Sequence, residues 1–399
     1  MIDNRNEARC CGCGACVDIC PQNCITMTER TLGAVVAAAD PARCIQCGAC
    51  EAVCPVRWAP EPAAGPVRRA YAGYCLDPEL RDRGASGGIV PLIAARLYDH
   101  GYAVYGAAFT GDRRLKHICA ETPEDLRRIA KSKYLQSGLD GVYTEIRKKL
   151  EAGQSVLFIG TPCQNSALRN FVPARHREGL VQVDFFCRGV PSQRFFDECL
   201  AFQDAVDGSS TISYQFRAKP KRAASSYYFE RTAVCNGVVK KTTKLYFHSL
   251  FEAAFQKHFT LRESCYDCRF SGADRASDLT VGDFHEIDGY FPGIDRFKGV
   301  SRIIVNTEKG GQLLDAVRDQ LWLRELDMEE LQRNGLGFGQ KTPRPKGRDA
   351  FISLYEAEGI GGLARGPLDR KRYRLHELYY HLPKYLRKLA LRAAGGGRR

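Results

Sequence analysis

No stretch of this 399-residue chain approaches the roughly eighteen uncharged apolar residues that a membrane span needs. The opening residues, Met-Ile-Asp-Asn-Arg-Asn-Glu, have no apolar run behind them, so no signal peptide is expected. The chain also lacks a G-x-G-x-x-G after a predicted strand and any G-x-x-x-x-G-K-[ST]. A Rossmann nicotinamide site and a P-loop nucleotidase are therefore poorly supported. Cysteine, by contrast, is abundant, with eighteen residues. Without an export signal, so many thiols fit metal-bound thiolates in a reducing cytoplasm better than secreted disulfides. Ordinary hydrophobic (44%) and charged (26%) shares indicate a globular protein, and the length suggests two or three domains. The net charge of +13 is local: residues 365–399 hold eleven Lys or Arg against Asp369 and Glu377, leaving only +4 elsewhere.

The cysteines are patterned. C-x-x-C-x-x-C-x-x-x-C-P occurs at Cys10, Cys13, Cys16, Cys20 and Pro21, and again at Cys44, Cys47, Cys50, Cys54 and Pro55. Three closely spaced thiolates on a glycine-containing loop can wrap three corners of an iron–sulfur cube. The fourth cysteine of such a run ligates the other cluster in two-cluster ferredoxins. Crossed in this way, one cluster takes Cys10, Cys13, Cys16 and Cys54, and the other takes Cys44, Cys47, Cys50 and Cys20. A zinc site would use two well-separated pairs instead. Gly12, Gly14 and Gly48 suit the sharp turns. Cys11 and Cys24 fall outside the pattern and are read as non-ligands. The segment resembles bacterial-type two-cluster ferredoxins over about sixty residues.

Beyond a Pro- and Ala-rich linker, the pattern changes to alternating helices and strands. A helix is expected over 89–99 after Ser86-Gly87-Gly88, then a strand at 102–109. Thr122-Pro123-Glu124-Asp125 reads as a helix start. A helix is expected over 140–151, and apolar strands at 155–160 and 181–186. Thr161-Pro162-Cys163-Gln164 follows the first of these strands, and Cys187-Arg188-Gly189 the second. Asn236-Gly237 marks a hairpin. Further expectations are a helix over 244–259, strands at 279–282 and 302–305, and a helix near 309–320. The alternation indicates an α/β core with some antiparallel pairs.

Five motifs appear in order: SGG (86–88), SKYLQS (132–137), GTPCQ (160–164), CRGVPS (187–192) and CYDCRFSGADRASDLTVGDFHEI (265–287). Together they resemble the coenzyme F420 hydrogenase/dehydrogenase beta-subunit family, in both its modules, over residues 68–320. The resemblance implies a flavoprotein, carrying FAD or another flavin, with at least one further [4Fe–4S] cluster. Cys163, Cys187, Cys265 and Cys268 are the expected ligands of that third cluster. Cys265 and Cys268 have chelate spacing, while Cys163 and Cys187 stand at the carboxyl ends of predicted strands. Cys75 is held in reserve, and Cys119, Cys199 and Cys235 are read as structural.

For the flavin, Ser86, Gly87 and Gly88 either present amides to a phosphate or simply cap a helix. Lys133 either stabilises negative charge on a reduced ring or is a solvated helix-end lysine. Thr161 and Gln164 either bond the ring edge or shape their turn. Asp283 is a candidate substrate ligand or N-cap, and His285 a candidate proton donor; His117 is read as structural. The tail carries Leu375, Leu378, Tyr379, Leu382, Leu386 and Leu389 at helical spacing among basic residues, suiting an anionic membrane surface, an acidic partner or its own domain. No nucleic-acid motif accompanies the charge.

The expected architecture is thus α+β / α/β. A two-cluster ferredoxin-like domain (1–60) and a linker (61–67) precede a family N-terminal module (68–150). A flavin and iron–sulfur C-terminal module (151–345) and a basic helical tail (346–399) follow. The expected function is a cytoplasmic flavin-dependent iron–sulfur oxidoreductase, peripheral to the membrane if the tail binds there. Its expected partners are ferredoxin or another redox subunit and a small-molecule substrate, with coenzyme F420 among the candidates. The alternatives are a non-catalytic electron-relay subunit and a partner-binding accessory in a polysaccharide gene cluster.

Overall fold

In the computed structural model, residues 2, 7–58, 68–220, 223, 225–336, 338 and 341–369 are described. The expected linker at 61–67 and the apolar stripe of the tail lie outside them. Two units are distinguished. One comprises Met1–Phe196 with Thr260–Arg344, and the other Asp197–Phe259 with the segment from Pro345 onward.

At the N-terminus of the first unit, β1 (Ile25–Glu29) and β2 (Val35–Ala39) form an antiparallel pair. Short helices, Ala15–Asp18 and Ala49–Ala52, carry Cys16 and Cys50. Each begins at a left-handed glycine, Gly14 or Gly48. The chain continues through β3 (Arg69–Cys75), β4 (Ala103–Phe109), β5 (Leu115–Ala120), β6 (Val156–Ile159) and β7 (Leu180–Phe185). In the second unit, β8 (Ser209–Ala218), β9 (Tyr228–Cys235) and β10 (Val238–Leu245) form an antiparallel sheet. Asn236 and Gly237, both at positive φ, make its hairpin turn, as two-residue loops of this type require. Back in the first unit come β11 (Leu279–Asp283), β12 (Ser301–Val305) and β13 (Leu321–Leu326).

The large sheet is eight-stranded, in the order β13-β3-β12-β11-β7-β6-β4-β5. Its centre is parallel, pairing β4 with β6, β6 with β7, and β7 with β11. The flanking pairs are antiparallel. All four residues of β6 are buried, as expected of a parallel strand covered on both faces. On one face Leu157, Val183 and Ile303 pack with Leu92, Ile93 and Leu97 of the helix Ile89–Asp99. On the other, Tyr105 and Phe158 pack with Tyr143 and Ile146 of the helix Val142–Glu151 and Leu168 of the helix Pro162–Phe171. This covering leaves the carboxyl ends of β6 and β7 to carry loops.

One expected element is corrected. The helix expected over 244–259 is a strand as far as Leu245, a 3-10 turn at Tyr246–His248 and a short helix at Leu250–Gln256. Lys244 and Leu245 end β10, the second strand of the expected hairpin, which is paired along its length to β9. Hairpin pairing overrides the local pattern there.

Candidate iron–sulfur site

Strand β6 ends at Ile159, and Thr161 caps the helix that follows. Gln164 closes a capping box, with the Thr161 N–H donating to Gln164 Oε1 at 3.0 Å. That cap fixes Cys163 in the first helical turn. Thr161 Oγ1 stands 3.2 Å from Cys163 Sγ. Cys187 follows β7 in the same manner, with the Gly189 N–H directed at its sulfur at 3.4 Å. Cys265 and Cys268 come from the loop ahead of β11 and its short helix Glu263–Tyr266. All four thiols line one cavity of about 270 Å³, along with Cys11, Thr161, Gln164 and Arg188.

Several partly buried thiols crowd the site. Burial, with Cys265 and Cys163 as neighbours, pushes the Cys187 thiol well up. Burial raises Cys265 to about 12 and Cys268 to about 11. Contact with Cys11, then burial, raises Cys163. Such thiols give up their protons to a metal, whose positive charge reverses the balance that holds them neutral. The donor set suits an iron–sulfur cube, which four thiolates hold. Among the described residues, no three His, Cys, Asp or Glu side chains converge closely enough to hold a single metal ion.

In the N-terminal region, Cys10, Cys13, Cys16 and Cys54 are all buried. Burial, then the proximity of Cys10, Cys54 and Cys50, pushes Cys16 to about 12. The Gly12 N–H points at Cys10 Sγ at 3.4 Å. Cys20, Cys44, Cys47 and Cys50 line a second, much smaller cavity of about 20 Å³. Cys24, read from sequence as a bystander, lines it too, 3.4 Å from Cys20 Sγ to Sγ. Cys11 likewise stands in the larger cavity. Neither falls in the ligand spacing of the two motifs, so that spacing alone does not mark them.

The expected flavin residues are dispersed. Thr161 and Gln164 face the cavity, but their polar atoms are engaged in the capping box, and Gln164 also donates to Ser137 Oγ at 3.0 Å. Ser86 Oγ donates to Val300 O at 2.7 Å, and the Gly87 N–H donates to Ser301 Oγ at 3.0 Å. Gly88 is the N-cap of the helix Ile89–Asp99. Lys133 Nζ donates to Arg128 O at 2.7 Å and Ala130 O at 2.5 Å, closing the helix Pro123–Ile129. Burial, with Arg128 and Lys131 near, brings its ammonium down to about 7. Asp283 ends β11, with His285 Nε2 3.8 Å from its Oδ2, and neither lines the cysteine cavity. Cys75 is in the core beside Leu321, and Cys199 is buried. Cys119 and Cys235 are partly exposed.

Thiols gathered on an α/β unit behind a cysteine-rich hairpin define an iron–sulfur redox protein. Accordingly, residues 9–58 match the 4Fe-4S dicluster domain. Residues 70–142 match the N-terminal part, and 153–330 the C terminus, of the coenzyme F420 hydrogenase/dehydrogenase beta subunit. The chain belongs to that beta-subunit family, with a dicluster domain ahead of both modules.

The chain is 26% identical over 367 residues to a coenzyme F420-dependent sulfite reductase of Methanocaldococcus jannaschii. The match covers 89% of this chain and 54% of the relative, so the chain spans about half that protein's length. A chain of the F420-reducing [NiFe] hydrogenase complex from Methanosarcina barkeri, solved as a xenon derivative, is 17% identical. That likeness has a TM-score of 0.42 and covers 75% of this chain and 91% of the other. Among the described residues, no helix is long and apolar enough to cross a membrane.

Proposed function

We propose that this chain is an iron–sulfur oxidoreductase. Its cysteines would hold two N-terminal [4Fe–4S] clusters and a third, which would supply one-electron transfer, and a flavin, where bound, would supply the exchange with a substrate. The N-terminal clusters take the crossed ligand sets of the two motifs. The third takes Cys163, Cys187, Cys265 and Cys268. One observation carries the reading: four cysteines from three separate loops line a single cavity. Hydrogen bonds to sulfur and exclusion of water are the levers by which a protein sets a cluster's potential. The Gly12 and Gly189 amides supply such bonds.

The flavin, FAD by family resemblance, would supply the conversion between hydride and single-electron chemistry. The residues expected for it do not gather around one space. The cysteine cavity, at about 270 Å³, is below the roughly 300–1,000 Å³ usual for a small-molecule site. No step is therefore assigned to flavin contacts, and Lys133, Asp283 and His285 carry no weight in the proposal. The substrate is coenzyme F420 or another small molecule. The working division follows the sequence reading: a dicluster segment to residue 60, then modules at 68–150 and 151–345.

A second reading is favoured by the chain spanning only 54% of its relative. In it the chain relays electrons and a further polypeptide performs the chemistry. Anaerobic reconstitution, with iron, sulfide and flavin measured per chain, separates the two. Three clusters' worth of iron with bound flavin supports the oxidoreductase. The same iron without flavin supports the relay, and a colourless, iron-free protein refutes both.

A further inference from the structure

Arg302 is a cation built into an apolar layer. It stands on β12, all five residues of which are buried, and is itself only 8% exposed. In the sheet it pairs with Ala72 of β3 on one side and Gly282 of β11 on the other. Residues two apart along a strand share a face. Val300 and Ile304, two residues either side of Arg302, both belong to the apolar cluster that includes Ala72 and Phe284.

Phe186 lies against the same place. A Cβ on Gly282 would meet its ring at 2.6 Å, so the bare glycine is what gives the ring room. Phe338 stacks on Phe186 with centroids 5.7 Å apart, and the Arg302 guanidinium carbon stands 4.1 Å from the Phe186 centroid. A ring holds a guanidinium by its face and leaves the N–H groups at its edge to other partners. The chain supplies none. Nε and Nη1 are buried without a hydrogen bond, and among the described residues Arg302 makes no ion pair. Other buried arginines are provided for: Arg275 has Asp184 at 3.3 Å, and Arg262 has the Cys10 carbonyl at 3.0 Å.

The charge persists at neutral pH. Burial brings the guanidinium down to about 10, with Glu286 opposing the fall and Arg188 adding to it. Glu286 is exposed and forms no ion pair with Arg302. A buried cation without a counter-charge is strongly destabilising, and an anion placed against it relieves that cost.

We propose that Arg302 anchors an oxyanion-binding site, in which two of its N–H groups take two oxygens of a phosphate or carboxylate carried by a small ligand, with Phe186 holding the guanidinium plane. Paired, charge-assisted hydrogen bonds of this kind are the strong ones, and they suit a planar fork. The inference goes beyond the cluster reading and does not rest on it, since no cysteine takes part.

The test uses the full chain, reconstituted anaerobically as wild type, Arg302→Met and Arg302→Lys, with iron per chain as the check on folding. Inorganic phosphate, acetate and FAD are titrated calorimetrically, with riboflavin as the flavin that lacks phosphate. Wild type is expected to bind phosphate, acetate or FAD saturably, and Arg302→Met to bind the same probe at least about tenfold more weakly, since a hydrogen bond to a charged group is worth about that factor. Arg302→Lys, which keeps the charge but not the fork, should fall between them, and it carries the comparison if Arg302→Met loses iron. Loss confined to FAD, with riboflavin unaffected, places the oxyanion on a flavin; loss with phosphate or acetate places it on a separate ligand. Equal affinities in wild type and variants for every probe overturn the proposal. So does a wild-type protein that binds none of them.

Discussion

Arg262 and Cys10 are 252 residues apart in the chain and directly bonded, with the guanidinium Nη2 donating to the Cys10 carbonyl at 3.0 Å. The same nitrogen reaches Val35 O at 2.6 Å, and Nη1 reaches Gln136 Oε1 at 2.5 Å. One planar fork therefore joins the first cysteine loop, strand β2 and the segment leading to Cys265. Arg262 is itself buried, so its partners have little water to turn to. Arg262→Met is expected to cost about 1–3 kcal/mol for each acceptor left unsatisfied. Arg262→Lys should rescue little, because an ammonium lacks the fork geometry. Denaturant midpoints of the three proteins check the ranking. Loss of N-terminal cluster iron from Arg262→Met alone would tie the clamp to the clusters.

Gly12 and Gly14 offer a controlled pair. Both have positive φ, +65° and +81°. A Cβ on Gly12 would meet Arg262 Nη1 and Gln136 Nε2, each at 2.6 Å, whereas one on Gly14 would meet nothing within 4 Å. Alanine at either position carries a left-handed backbone cost of roughly 1–2 kcal/mol. Only Gly12→Ala should also displace the clamp. It is expected to be the less stable variant and to hold less iron than Gly14→Ala, read by thermal unfolding and iron analysis. Equal behaviour of the two would mean that the crowding relaxes without consequence.

Legibility in the sequence divides along the same line between local and distant causes. The cysteine repeat was readable because ligand spacing is local. Strands β6 and β7 were readable because VLFI and LVQVDF are near-continuous buried runs. The Thr122 cap was readable from Thr-Pro-Glu-Asp, and Asp125 completes its capping box. The strands of the hairpin were readable from the Asn236-Gly237 turn, but the point where β10 ends was not, because nearly all its residues are exposed and no period marks the change to a helix. Strands β3 and β13 draw their identity from pairing with each other and with β12. The site divides likewise. Cys265 and Cys268 announce each other, but nothing near Cys11 announces Cys163.

His117 sets a pH limit beneath the cavity. Its ring is buried, stacked on Phe158 at 5.0 Å, with Nε2 3.0 Å from Ile159 O and Nδ1 2.9 Å from Ser137 Oγ. A neutral ring satisfies both, donating from Nε2 and accepting at Nδ1. Burial, aided by the nearby Lys133 charge, lowers its pKa to about 4, against the Ile159 carbonyl, which favours protonation. A depressed folded pKa means the unfolded chain binds the proton more tightly. The contribution is therefore complete above about pH 6.5 and lost as pH falls to about 4, worth about 3 kcal/mol in all. His117→Gln should remove that slope. Unfolding free energies of both proteins at pH 7 and pH 4.5 give the difference; equal slopes would place the ring's titration elsewhere.

Glu252 makes the opposite prediction in the second unit. Its carboxyl is buried, and Oε1 has no hydrogen-bond partner. Burial, only partly offset by the Arg217 charge, raises its pKa to about 8. Here the folded chain holds the proton more tightly than the unfolded one. Stability is therefore full below about pH 4.5 and falls as pH rises to about 8, by at most about 5 kcal/mol. Glu252→Gln keeps the size, removes the charge and should be the more stable protein above neutral pH. The two proteins should converge below about pH 4.5, where the glutamate is protonated in both states. Thermal unfolding from pH 4.5 to 8.5 reads the crossover. A variant less stable than wild type at pH 8.5 would show that the ionised carboxylate has a stabilising partner.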